Sequence, residues 1–283
     1  MCEPSRRFAW TTFSRSVSSS SKQWLARQRR DPYVKEAKRL DTRSRAAFKL
    51  RELQQRHRLL KPGGRVVDLG AAPGGWSVVA AAEVGSSGGA VMAVDLLDMV
   101  PVAGVTFIRA DFTAPETQRR VREWLGGRAA DCVLSDMAPC FSGDASTDHL
   151  RTLALCAEGL RFAADVLVPG GTFLGKFLKG RDEKELLEAA RGGFAKVRTV
   201  KPKASRGNSA ESYLLATGFK GPGSSAETAG AGMATVAGTA RMGGTKGVAF
   251  MPAAGAGSVA GRDSSKSGEI CVEGGGGKAF APR

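Results

Sequence analysis

The 283-residue sequence has no paired cysteines. Cys2, Cys132, Cys140, Cys156 and Cys271 are scattered, odd in number and without a Cys-x-x-Cys pair. Neither a disulfide framework nor a zinc site is indicated, no metal is expected, and a reducing compartment is the default. No apolar run approaches the roughly 20 residues that cross a bilayer, so a soluble chain without a membrane span is expected. No structural repeat is found. Acidic residues are scarce: 27 Asp and Glu stand against 42 Lys and Arg, leaving a formal charge of +15 and a pI near 10.1. That balance suits a polyanionic partner, most often nucleic acid. A basic leader with solvated lysines would give the same balance.

The scarcity is uneven along the chain. Among residues 1–30 only Glu3 is acidic, against Arg6, Arg7, Arg15, Lys22, Arg27, Arg29 and Arg30, and Ser14, Ser16 and Ser18 to Ser21 form a serine cluster. Arginine-rich, serine-rich and acid-poor is the composition of an organellar transit peptide; a disordered basic RNA-binding arm shares it. The expected compartment is the mitochondrion, with plastid or cytoplasm and nucleolus as alternatives. Residues 221–283 hold few large apolar side chains among Gly, Ala and Ser. Such a segment cannot bury enough surface to offset its ordering entropy, so a disordered tail is expected. That leaves 31–220 as the folded domain.

Within it, Asp31 to Lys61 has helical spacing, with Ala46, Leu50 and Leu53 at i, i+4 and i+7. The other side of that helix carries Arg43, Arg45, Lys49, Arg51, Arg56 and Arg58, and Lys61-Pro62-Gly63-Gly64 stops it. Apolar runs near 66–69, 90–94, 105–108, 131–134 and 171–175 alternate with helical segments near 76–84, 115–125 and 147–166. Residues 194–200 and 212–217 read as two closing strands. The expectation is an α/β fold, a mostly parallel seven-stranded sheet with helices on both faces.

The stretch Val66-Val67-Asp68-Leu69-Gly70-Ala71-Ala72-Pro73-Gly74-Gly75-Trp76 reads as strand, glycine turn and helix start. Glycine there permits a ligand to approach the backbone closely. The spacing is Asp-x-Gly-x-x-Pro-Gly-Gly rather than Gly-x-Gly-x-x-Gly, which points away from a dinucleotide pyrophosphate and toward a smaller nucleoside ligand. Ligands of open α/β sheets bind outside the carboxyl ends of the strands, and four strands end in or near an acid: Asp68, Asp95, Asp111 and Asp136. Asp95 follows Asp68 by 27 positions, near the roughly 20-residue offset at which an acid takes ribose hydroxyls. Asp111 suits an adenine amino group, and turn formation is the alternative for both. Trp76 reads as core by residue type. Lys176 ends an otherwise apolar strand, where a lysine is either exposed at the strand end or functional. Spacing alone gives Lys49 and Glu211 no standing.

Asp68 to Trp76, Ser135-Asp136-Met137-Ala138-Pro139 and Arg43-Ser44-Arg45-Ala46-Ala47-Phe48-Lys49-Leu50 resemble the FtsJ family of S-adenosylmethionine-dependent RNA ribose 2′-O-methyltransferases. The resemblance covers about residues 31 to 219. Trp24-Leu25-Ala26-Arg27 ahead of Arg30-Asp31-Pro32-Tyr33-Val34-Lys35 is similar to the mitochondrial branch. The resemblance implies a Rossmann-like methyltransferase fold, S-adenosyl-L-methionine as cofactor, and ribosomal RNA or the pre-ribosomal large subunit as partner of a monomeric enzyme. The bacterial branch acts on a uridine of large-subunit ribosomal RNA. The resemblance further implies a Lys-Asp-Lys-Glu tetrad at Lys49, Asp136, Lys176 and Glu211, and cofactor positions at Pro73, Gly74, Gly75, Trp76, Asp95, Asp111 and Asp136. Two departures, Cys140 for a frequent asparagine and Ala47 for a bulkier residue, bear on the shape of the substrate pocket.

Methyl transfer to a hydroxyl needs an oxygen nucleophile, an in-line approach and removal of the hydroxyl proton. The cofactor carries the activated methyl, so the protein mainly positions. Lys176 is the candidate base. A free lysine has a pKa of about 10.4, while a base works best near roughly 7–8. Lys49 as a like charge pushes in that direction, Asp136 and Glu211 push against it, and a charged Lys176 that only orients the hydroxyl is the alternative. RNA phosphates are expected on the basic helix, Arg43 to Arg58. A short-chain NAD oxidoreductase needs Tyr-x-x-x-Lys, yet Ala37 and Thr217 stand four residues after Tyr33 and Tyr213, the only tyrosines. An amino-group base methyltransferase needs an aromatic that residues 135–139 lack. A tRNA substrate and a non-catalytic RNA-binding assembly factor are the remaining alternatives, and the four tetrad residues weigh against the second.

Overall fold

Arg65–Leu69, the apolar run before the glycine turn, forms the central strand β1 in the computed structural model, which describes Pro32, Tyr33, Glu36, residues 43–207 and residues 209–222. The basic leader, most of 31–42 and the tail lie outside the described residues. The other strands are β2 (Ala90–Asp95), β3 (Val105–Arg109), β4 (Ala130–Ser135), β5 (Leu167–Leu178), β6 (Phe194–Val200) and β7 (Glu211–Phe219). They form one sheet in the order β3-β2-β1-β4-β5-β7-β6. The pairings from β3 through β5 are parallel, while β7 runs antiparallel to both β5 and β6. No helix separates β6 from β7, so their connection is a hairpin and the return strand is antiparallel. The sheet is thus mostly parallel, with one inverted strand that carries part of the site.

Among the described residues, five helices with defined ends cover the sheet: α1 (Ala46–His57), α2 (Gly75–Val84), α3 (Pro115–Leu125), α4 (Ala145–Val166) and α5 (Glu183–Gly193). Side chains alternate across a strand, and the two faces build two cores. Leu174, Tyr213 and Leu215 pack with Leu50 and Leu53 of α1 and Trp76 and Val79 of α2. Phe173, Leu214 and Ala216 pack with Val121 of α3, Leu153, Leu160 and Phe162 of α4, and Leu186 of α5. Each such aliphatic side chain taken fully out of water stabilises the fold by about 1.5–3 kcal/mol before entropy is counted. Coverage on both faces explains why β1, β2 and β4 read as continuous apolar runs.

Three expectations change. The helix expected to reach Lys61 ends at His57. Arg58 takes a left-handed φ of 51° and its N–H bonds Gln54 O at 2.8 Å. Leu59 and Leu60 are both buried beyond the end of the helix, where the Gln54 amide ties down Leu60 N and O. The charge-rich α5 was not among the expected helices, since only Leu186 and Ala190 of it are buried. β5 begins and ends beyond 171–175. Among the described residues no helix is long and apolar enough to cross a membrane, and no cluster of three metal-ligating side chains is found.

Candidate active site

From β1 the chain winds outward to β2 and β3, then returns to β4 and β5 on the other side. At such a switch point the loops after neighbouring strands diverge and leave a crevice at the carboxyl edge. The glycine turn lies there. Gly70 and Ala71 donate to Val94 O at 2.9 and 3.2 Å. Ala72 N–H donates to Asp95 Oδ2 and Leu97 N–H to Asp95 Oδ1, each at 2.8 Å. A Cβ on Gly70 would come within 2.7 Å of the Met137 backbone, so the turn after β1 touches the segment after Asp136. Gly74 has φ 104°, and a Cβ there would lie 2.9 Å from Met99 Sδ and 3.1 Å from Arg43 Nη1. Gly75 and Trp76 open α2, whose first-turn N–H groups have no partner inside the helix and suit an acceptor on a ligand.

The tetrad assembles on the face covered by α1. Lys176 of β5 pairs in register with Tyr213 of β7, and Leu178 with Glu211. Residues two apart on a strand share a face, so Lys176, Tyr213 and Glu211 all point toward α1. Lys49 comes down from α1 to meet Glu211 Oε1 at 2.7 Å. Asp136, just past β4, meets Lys176 Nζ through Oδ1 at 3.1 Å and through its backbone O at 2.5 Å. The four charged side chains are only 10–18% exposed.

Tyr213 joins the two pairs. Lys49 Nζ donates to its hydroxyl at 3.3 Å, and the single hydroxyl proton can go to Asp136 Oδ1 or Glu211 Oε1, each 3.2 Å away. Burial, with Asp136 and Glu211 alongside, raises the phenol well above its usual pKa, so it stays a neutral donor. Burial also pushes the Glu211 carboxyl up, but Lys49 beside it and hydrogen bonds from Lys49 and Ser205 outweigh that and hold it below the ordinary glutamate value. Ser205 Oγ donates to Glu211 Oε1 at 2.7 Å from the β6–β7 connection. Sequence reasoning missed Tyr213 and Ser205. The tyrosine was legible in principle: two residues after Glu211 in a strand, it must share that residue's face.

The remaining expected positions divide. Asp95 is bonded to the glycine turn. Asp111 is exposed, and its Oδ1 accepts from Thr113 N–H and Oγ1 at 2.9 and 2.8 Å, the turn chemistry weighed as its alternative. Pro73 follows a cis peptide bond beside Gly74. The Trp76 indole is core: 2% exposed, donating to Ala46 O at 2.9 Å and packed 5.6 Å from the Tyr213 ring. Only its backbone is left at the turn for a ligand. Asp68 does not join the exposed rim. It is fully buried within β1, with Ser77 Oγ donating to Oδ2 at 2.6 Å and no hydrogen-bond partner on Oδ1. Lys49 is likewise buried rather than on the solvated basic face. Of the arginines placed there, Arg43 donates to Val100 O and Pro101 O, Arg45 to Ala204 O, and Arg56 pairs with Glu52.

A Rossmann-like sheet with a glycine turn on one side of its switch point and paired amines and carboxylates on the other defines a group-transfer enzyme with a nucleoside cofactor. The family model for FtsJ-like methyltransferases matches residues 42–219. A "Ribosomal RNA large subunit methyltransferase E" of Xanthobacter autotrophicus is 52% identical over 217 residues, covering 76% of this chain and 85% of that protein. The protein of that name from Roseobacter denitrificans is 50% identical over 214 residues, 73% of this chain and 89% of its own. A crystal structure of a ribosomal RNA methyltransferase from Plasmodium falciparum superposes with a TM-score of 0.58 at 29% identity, covering 63% of this chain and 99% of that one. The chain belongs to the FtsJ-like methyltransferase family, and its methyl donor is S-adenosylmethionine. The crevice fits that donor. The α2 N-terminus, opening at Gly75 beside the glycine turn, offers backbone donors, and Asp95 offers acceptors for ribose hydroxyls.

Proposed function

We propose that the enzyme methylates a ribose 2′-hydroxyl of large-subunit ribosomal RNA, with a uridine as the target nucleotide. The observation that carries this is the Lys176–Asp136 pair, linked through Tyr213 to Glu211 and Lys49 and set at the same sheet edge as the glycine turn. The names of the most similar relatives and the +15 charge support the ribosomal substrate. When bound, the cofactor supplies an electrophilic methyl group. Lys176 donates twice to Asp136, to the backbone O and to Oδ1, and has one direction left for the substrate hydroxyl. Acting as the base, its nitrogen would accept the hydroxyl proton through that direction as the O–C bond forms and the bond from the methyl carbon to the cofactor sulfur breaks, the sulfur leaving as a thioether with the bonding electrons. Lys49 is committed to Glu211, so the carboxylate acting directly on Lys176 is Asp136.

Transfer of tritiated methyl groups to unmodified large ribosomal subunits tests the activity. Lys176→Ala should abolish it with cofactor affinity nearly intact. Lys176→Arg should be as inactive, because a guanidinium orients a hydroxyl but takes no proton in the accessible pH range. An arginine variant that keeps a tenth or more of the rate would leave Lys176 an orienting role only. The leader's composition supports a mitochondrial location, and a contribution to ribosome assembly there follows from the proposed ribosomal substrate. Depletion of the protein followed by ribose-methylation mapping of organellar ribosomal RNA tests that reading, together with imaging of residues 1–30 fused to a reporter.

A further inference from the structure

Among the described residues, Leu96, Leu97, Val100 and Phe141 are the large apolar side chains left exposed, at 57–72%. Single exposed apolar residues are ordinary on a protein surface. These four are not scattered: all lie in the connections that leave the carboxyl ends of β2 and β4. Leu96, Leu97 and Val100 follow Asp95, on the side where the cofactor ribose is read. Phe141 is separated from them by the switch point. It stands five residues after Asp136, a reach of at most about 18 Å and less in a folded loop.

The loop that carries Phe141 is held from both sides. Asp148, in the first turn of α4, accepts from Ser142 N–H at 2.8 Å, Ser142 Oγ at 2.9 Å and Gly143 N–H at 3.0 Å. Arg151, one turn on, donates to Cys140 O at 3.4 Å. His149, next to Asp148, donates through Nδ1 to Leu178 O at 2.7 Å and accepts from Asp182 N–H through Nε2 at 3.3 Å. One turn of α4 therefore fixes both loops that bracket the Lys176–Asp136 pair. A ring kept in water on a loop held in this way, next to the carbonyl that takes the Arg151 guanidinium, and with the exposed Lys179 and Arg181 in the other loop that the same turn of α4 holds, combines the two parts of a single-strand nucleic-acid site: an aromatic face for a base and positive charge for the backbone.

We propose that Phe141 is a stacking platform for an unpaired base of the substrate RNA, so that the enzyme takes its target nucleotide from a single-stranded or locally opened segment. The proposal rests on the RNA substrate inferred above. A single exposed aromatic ring on a loop bonded to an arginine favours a nucleobase over a protein partner.

The test measures binding of a fluorescein-labelled 20-nucleotide single-stranded RNA of mixed sequence, and of its perfectly paired duplex, to the full-length enzyme. Phe141→Ala should weaken single-strand binding about 5- to 100-fold and leave duplex binding and S-adenosylmethionine affinity unchanged. Phe141→Trp should restore single-strand binding and Phe141→Leu should not. Equal losses on both RNAs, no loss on either, or full rescue by leucine overturns the stacking role. Failure of the wild type to methylate ribosomal RNA, with the single-strand effect present, overturns the proposed activity instead and leaves the platform standing.

Discussion

At the scale of single residues, the site depends on how buried charges are partnered. Tyr213 is the clearest case. Its hydroxyl touches both the Lys49–Glu211 pair and Asp136. Tyr213→Phe removes a hydrogen bond to a charged group, a loss of about 1.5–3 kcal/mol. We expect kcat to fall by about 10- to 100-fold with cofactor affinity unchanged; single-turnover kinetics with separately measured cofactor binding would check this, and an undiminished kcat would mean the hydroxyl only fills space. Asp68 is the opposite case, an acid with one oxygen satisfied and one not. Burial, partly offset by Ser77 and reinforced by Asp136 and Asp95, raises its pKa from 3.8 to about 7. A carboxyl that binds its proton more tightly when folded is most favourable below its unfolded pKa, and stability is lost as pH rises from there through 7. Asp68→Asn carries no such dependence. Between pH 5 and pH 8 the asparagine variant should gain on the wild type by roughly 2–3 kcal/mol in urea unfolding; parallel pH profiles would refute it.

At the scale of elements, the chemistry comes from what the ends of strands and helices leave open. α2 begins directly at the glycine turn, with Gly74 in the left-handed region and in contact distance of Met99 and Arg43. Gly74→Ala therefore meets both backbone strain of about 1–2 kcal/mol and crowding of the cofactor crevice. Cofactor affinity should drop by about tenfold or more, and the thermal midpoint should fall by a few degrees. Calorimetric titration and a melting curve would show both, and a variant normal in each would detach the turn from cofactor binding. α1 plays two parts at once. Leu50 and Leu53 seat it on the sheet, and Lys49 beside them points to Glu211, so the helix that builds the core also delivers a charge to the site. β7 completes the arrangement. Running against β5, it brings Tyr213 level with Lys176 and Glu211 level with Leu178.

For the whole molecule, the strand order divides the labour. β1 to β3 carry the glycine turn and Asp95, β4, β5 and β7 carry or lead into Asp136, Lys176, Tyr213 and Glu211, and the switch point separates the two groups. The alternation of apolar runs with helical patterns was enough to foresee seven strands, because strands covered on both faces are apolar throughout. The glycine spacing, the acid after β2 and the motifs shared with the FtsJ family were likewise readable, since each depends on residues close together in the chain. α5 escaped because its charged face outweighs a two-residue buried stripe. The end of α1 was misplaced because Leu59 and Leu60 continue the apolar pattern although the backbone has already turned.

Local order alone determined the fold class, the glycine turn with Asp95, and the residue types available for proton removal. Only the tertiary structure decided that Lys49 and Glu211, 162 positions apart, form a pair, that Tyr213 links them to Asp136, and that Asp68 is sealed in the core rather than set on the rim. The physical reason is that side-chain periodicity tells which face a residue takes, whereas the partner it meets there depends on which strands lie adjacent and in what register. That is settled by packing of the whole sheet, through contacts between residues far apart in the chain.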